Sequence, residues 1–150
     1  MKSYMQILKN FNYKWIFPPL IVGGYALYYH NIRKPGEDLD LIVSEDDWKV
    51  LKKKYPNTLN LFGGIDENEI DATLNIKNPE KIDIIKTLWK HNYNDFIQDS
   101  IEDKDNNVRI MSIPNLLYIK SFPSIKFMDD KSKIDVQKIV EHQIKEKYKN

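Results

Sequence analysis

Gly36-Glu37-Asp38-Leu39-Asp40-Leu41-Ile42-Val43 is the stretch on which the reading of this chain turns. Successive side chains of an extended strand point to opposite faces. Asp38 and Asp40 therefore share one face, and Leu39 and Leu41 turn into the core. Two carboxylates side by side repel each other, and a hard cation such as magnesium relieves that repulsion. Upstream, Gly23-Gly24 ends the apolar strand Leu20-Ile21-Val22 where a helix should begin at Tyr25. A helix N-terminus reached by bare backbone is suited to phosphate. A tight strand-to-helix turn without a ligand is the plainer reading of the same glycines. Carboxylates for a metal facing a cradle for phosphate point to a nucleotide site.

The chain has 150 residues, enough for one domain with a real core. Charged residues make up 30% and the formal net charge is +1, so the molecule as a whole is no polycation seeking nucleic acid. A local basic face remains open at Lys52-Lys53-Lys54 and along the C-terminal segment. The absence of cysteine removes disulfides and thiol catalysis and suits a reducing cytoplasm. No apolar run approaches a bilayer span, and the first residues lack the apolar core of a signal peptide. The expectation is a cytoplasmic protein without a membrane partner.

Helical spacing covers 3–11, and Pro18-Pro19 breaks the chain before the strand Leu20–Val22. A helix is expected over 24–31 and a strand over 38–43. Ser44 with Asp47 makes a capping box that opens a helix to about Tyr55 and accounts for the acids at 46–47. Thr58–Phe62 and Glu69–Asn75 read as strands joined by a turn over 63–68. From Pro79-Glu80, the spacing of Ile82, Ile84, Ile85, Leu88 and Trp89 predicts an amphipathic helix. Residues 97–112 read as a hairpin turning at Asp105-Asn106-Asn107. Pro114 opens a helix through Phe122. A last helix over 131–147 is expected to bury Val136, Ile139, Val140 and Ile144. The expected fold is α/β (α+β), a small mixed sheet flanked by helices. Its core runs over about 12–112 and its helical portion over 113–150.

Gly23-Gly24-Tyr25-Ala26-Leu27, then Arg33, then Asp38-Leu39-Asp40-Leu41-Ile42-Val43, resembles the signature of the nucleotidyltransferase superfamily of the DNA polymerase beta type. The form is closest to small bacterial and phage members of toxin–antitoxin pairs or abortive infection, with antibiotic-modifying enzymes also similar. The resemblance covers 20–75, and 114–140 more loosely. It implies a nucleotidyltransferase fold and an enzyme that moves a nucleoside monophosphate from an NTP to a hydroxyl, releasing pyrophosphate. The acceptor would be RNA (a tRNA end among them), a protein or a small molecule. It also implies two Mg2+ ions, or Mn2+, and a cognate toxin or antitoxin partner or a homodimer. A non-catalytic nucleotide-binding regulator of the same fold is the rival reading.

In-line displacement at phosphorus with two metals about 4 Å apart usually needs a third carboxylate. The resemblance gives that place to Asp71, preceded by Ile70, as metal ligand and proton acceptor. A solvent-facing aspartate on an edge strand is the alternative. Gly24 stands where the family often has a phosphate-binding serine, leaving phosphate to the backbone donors of Gly23 and Gly24. Arg33 lies over the triphosphate, fixes the loop, or is simply exposed. Lys120 in Leu116-Leu117-Tyr118-Ile119-Lys120 resembles a family helix whose lysine reaches the nucleotide phosphates. Lys131 and Asp135 resemble a further Lys-Asp-x-x-Asp element, from which Ser132 departs. A structural pairing suits those two better. The separation of His30, His91 and His142 offers no zinc spacing. A basic strip beside the acids would favour RNA as acceptor, and an enclosed acidic pocket an aminoglycoside-like one.

Overall fold

Tyr4–Phe11 forms helix α1 because Ser3 and Gln6 close a capping box at its start. Asn12, in the left-handed region at φ 56°, stops it. The computed structural model describes residues 2–61, 71–126 and 130–149. Strand β1 (Leu20–Val22) is buried throughout and runs directly into helix α2 (Gly23–Tyr29). Strand β2 (Leu39–Ile42) follows, then helix α3 (Glu45–Lys54). Strand β3 (Leu59–Leu61) and strand β4 (Ala72–Ile76) pair as expected. Phe62, the expected turn over 63–68, and Glu69 and Ile70 lie outside the described residues.

The expected helix from Pro79 is instead strand β5 (Ile82–Ile85), followed by a small hairpin of β6 (Thr87–Leu88) and β7 (His91–Asn92). The physical reason is burial on both faces. Parallel pairing with β2 and antiparallel pairing with β4 put β5 inside the sheet. An interior strand reads as a near-continuous apolar run, which imitates helical spacing. The β-branched isoleucines favour the strand. Trp89 and Lys90, at φ 51° and 68°, make the two-residue turn between β6 and β7. No glycine or asparagine marks it, so it left no trace in the sequence.

Helix α4 (Tyr93–Ile97), capped by Asn92 and Asp95, was also not expected. The hairpin β8 (Ile101–Asp103) and β9 (Val108–Ile110) falls within its expected limits. Helix α5 (Ile113–Lys126) and helix α6 (Asp130–Lys147) complete the described chain. Among the described residues the mixed sheet has seven strands in the order β3-β4-β5-β2-β1-β9-β8, and six α-helices accompany it. One core cluster joins α1, α2, α3 and α4, the strands β1, β2, β4, β5 and β9, and the inner faces of α5 and α6. The apolar stripe expected on α6 is shifted. Ile139 is buried with Ser132 and Asp135, whereas Val140 and Ile144 are 41% and 53% exposed. No described helix is long and apolar enough to cross a membrane.

The capping role of Ser44 and Asp47 extends further than the helix they open. The Ser44 hydroxyl accepts the Asp47 backbone N–H. The buried Asp47 carboxylate accepts from the Tyr13 hydroxyl and the backbone N–H groups of Ile16 and Phe17. It thereby ties α3 to the irregular segment before β1. Asp47→Ala removes the acceptor that these three part-buried donors share. Chemical denaturation should show a loss of roughly 3 kcal/mol, and a loss under about 0.5 kcal/mol, the range of ordinary surface substitutions, would show that this anchor carries little.

Candidate functional site

The site is built where β1 gives way to α2. Val22 lies opposite Asp40 in the antiparallel β1–β2 pair. Gly23 then takes φ +63°, a conformation that turns the chain from strand to helix and that side chains other than glycine resist. A Cβ on Gly23 would lie 2.3 Å from Asp40 Oδ2. A Cβ on Gly24 would lie 3.2 Å from the Gly36 nitrogen and 3.3 Å from Arg33 Nη1. The glycine pair therefore admits two close approaches, that of the Asp40 carboxylate and that of the loop over 33–36.

Asp40 and Asp83 are register partners in the parallel β2–β5 pair, and Asp83 is in turn opposite Asn75 on β4. Three polar side chains thus form a row across three adjacent strands. Asn75 Nδ2 donates to Asp83 Oδ1 at 2.8 Å. Burial pushes the Asp40 carboxyl up to about 7, and the charge of Asp83 and a hydrogen bond with it act in the same direction. Lys120 opposes this, and Asp38 adds a smaller push upward. Near neutral pH the Asp40 carboxyl therefore stays partly protonated, as expected of a carboxyl that is buried and pressed against a second one. Asp38, immediately before β2, is exposed.

Arg33 and Lys120 converge on one acid. Asp135 on α6, 2% exposed, accepts from Arg33 Nε at 2.7 Å and Nη2 at 3.1 Å. Lys120 Nζ lies 3.1 Å from Asp135 Oδ2, the oxygen that also accepts Arg33 Nη2. Burial raises the Asp135 pKa, but Arg33 and Lys120 together outweigh it and hold the carboxyl below its ordinary value. Asp135 thus ties α6 to α5 and to the loop after α2, through Arg33 and Lys120 rather than through the pairing with Lys131 that the sequence suggested. Glu37 pairs with Lys81 at 2.6 Å.

Asp71, expected as the third acid, is placed elsewhere. It precedes β4 at φ 56°, and its Oδ1 accepts from Thr87 Oγ1 at 2.8 Å and from the Lys90 N–H at 2.9 Å. It fastens the β6–β7 hairpin to the start of β4. Along that strand it stands four residues, about 13 Å, from Asn75, which faces Asp83. The acid beside Asp40 is Asp83. Its alternation with Ile82 and Ile84 was the available signal, hidden by the helical reading of that segment. Among the described residues no three acidic or histidine side chains are arranged to close around an ion. Asp38, Asp40 and Asp83 are nonetheless hard oxygen donors from two neighbouring strands, the donor type that suits Mg2+ or Mn2+.

Comparison with protein-family models, curated proteins and solved structures finds no match.

Two outcomes follow from this geometry. The folded-state pKa of Asp40 lies above its unfolded value, so its contribution to stability is complete below about pH 4 and is lost as pH rises through about 7. Without divalent cations, Asp40→Asn should match the parent in stability near pH 4 and exceed it at pH 8, by on the order of a few kcal/mol. An advantage that does not grow with pH would contradict the raised pKa. Gly23→Ala should destabilise by roughly 2 kcal/mol. In an Asp40→Ala background the loss should shrink by about 1 kcal/mol, a coupling that a double-mutant cycle measures. Strict additivity would mean that the two residues do not meet.

Proposed function

We propose that the chain is a magnesium-dependent nucleotidyltransferase with the corresponding fold, moving a nucleoside monophosphate from an NTP to a hydroxyl of RNA, tRNA among them, or protein. The toxin–antitoxin or phage-defence type fits the Gly-Gly-x-Ala-Leu form. The observation that carries the reading is the register of Asp40 with Asp83, one strand over from a glycine turn into which Asp40 is packed. Like charges forced together beside bare backbone destabilise a fold, and such arrangements concentrate at functional sites.

In this reading the backbone donors of Gly23 and Gly24 hold the triphosphate. Lys120 and Arg33, fixed by Asp135, offset its charge. A divalent cation, when bound, would polarise the α-phosphate and stabilise the leaving oxygen. Asp38, Asp40 and Asp83 would hold it. Asp83, on the strand beyond Asp40 as seen from the glycine turn, takes the proton of the attacking hydroxyl. A bond forms from that oxygen to the α-phosphorus as the bond to pyrophosphate breaks, and pyrophosphate departs toward the glycine turn.

Pyrophosphate release, measured with each NTP, magnesium and total cell RNA or protein, tests this directly. Asp83→Asn should lower the wild-type rate by about 100-fold or more with NTP affinity changed far less. Asp71→Asn should keep the rate and lose stability at the β6–β7 hairpin. Wild-type turnover in Asp83→Asn, or no release by the wild type with any NTP, would overturn the proposal.

A further inference from the structure

Two cavities open along the end of β4, on the side of Asp83 away from the glycine turn. One, of about 430 Å³, is lined by Asp38, Asp83, Lys77 and Lys81 among others. The second, of about 580 Å³, shares Asn75, Ile76 and Lys77 with the first. Adjoining at those three residues, the two make a groove from Asp83, the member of the Asp40–Asp83 pair in the lining, to the edge of the sheet at β3. Its chemistry changes along its length. Near the acids, Lys77 and Lys81 face Glu37, Asp38 and Asp83. Beyond Asn75 the described lining contains no carboxylate. Side-chain amides of Asn57, Asn60, Asn75 and Asn78 take over, with Lys77 as the cation. At the far end Tyr55 follows Lys52-Lys53-Lys54, and Lys54 Nζ lies 5.6 Å from the Tyr55 ring centroid.

We infer that this groove receives the 3′-terminal nucleotides of a single-stranded polynucleotide and presents its terminal hydroxyl at Asp83. The inference rests on the proposed transfer reaction for its direction. In-line attack brings the hydroxyl to the α-phosphorus opposite the leaving pyrophosphate. With the triphosphate at the glycine turn, the acceptor enters from the Asp83 side, where the groove begins. The ligand class follows from the lining. A side-chain amide carries two donors and an acceptor, the complement of unpaired base edges, and apart from the Asn75 donor held by Asp83 the groove's asparagines present them. The lysines at the rim match a phosphate backbone. A polycationic small acceptor would need carboxylates where the groove has amides.

Fluorescence anisotropy with short 5′-labelled single-stranded oligonucleotides, one RNA and one DNA of equal sequence, tests the groove, with the duplex as control. The wild type should bind a single strand more tightly than the duplex, and the RNA and DNA arms show which sugar is taken. Lys77→Glu, and the exposed pair Asn57→Ala with Asn60→Ala, should each weaken that binding by roughly tenfold while calorimetric NTP affinity stays unchanged. Asp83→Asn should retain oligonucleotide binding. Groove-dependent binding without any transfer from NTP would uphold the groove and sink the transfer reaction. Transfer onto protein alone, or oligonucleotide binding indifferent to the groove substitutions, would overturn the groove and leave the reaction standing.

Discussion

The pairing of β2 with β5 in the register that sets Asp40 beside Asp83 is the constraint around which this molecule is arranged. Two carboxylates about 4 Å apart in a surface-like environment repel by roughly 4 kcal/mol if both are ionised, a large fraction of a small domain's stability. The surroundings limit that cost without removing it. Asn75 donates to Asp83, Lys120 bears on Asp40, and the raised pKa of Asp40 lowers the charge near neutral pH. Because Asp40 also fills the space that a side chain at position 23 would need, the glycine turn and the acid pair depend on each other.

The second organising contact is Asp135 between Arg33 and Lys120. It joins α6, α5 and the loop after α2, three segments far apart in the chain. A buried ion pair adds little net stability over an apolar contact, but removing one partner strands the others at a cost of several kcal/mol. Its main consequence is positional, since both cations are fixed on the Asp40 side of the sheet. The C-terminal helices, loosely linked to the rest by sequence, are thereby tied to the candidate site.

Much of this was legible in the sequence, for reasons that are local. Alternation over 38–43, the Ser44 cap, the break at Pro18-Pro19 and the turn at Asp105-Asn106-Asn107 each act within a few residues, and all lie where expected. The segment 82–89 was misread because Ile85, Leu88 and Trp89 break the two-residue period that Ile82-Asp83-Ile84 begins and imitate helical spacing. That reading left Asp83 unnoticed as the acid beside Asp40. The turn at Trp89-Lys90 was invisible because tertiary contacts hold two unfavourable residues at positive φ. The Arg33–Asp135 contact spans 102 positions, and no periodicity reports on it. Lys120 was singled out as a phosphate ligand, and its place against Asp135 and near Asp40 could come only from the folded chain.

The central claim is that Asp38, Asp40 and Asp83 form one centre for a divalent cation and a nucleotide. Crystals grown with Mn2+ and a non-hydrolysable NTP analogue, with anomalous scattering recorded at the manganese edge, test it most directly. The account predicts an anomalous peak bounded by these three carboxylates, with the triphosphate against Gly23 and Gly24. A peak at Asp71 instead, or ordered analogue with no manganese at the Asp40–Asp83 pair, would contradict it.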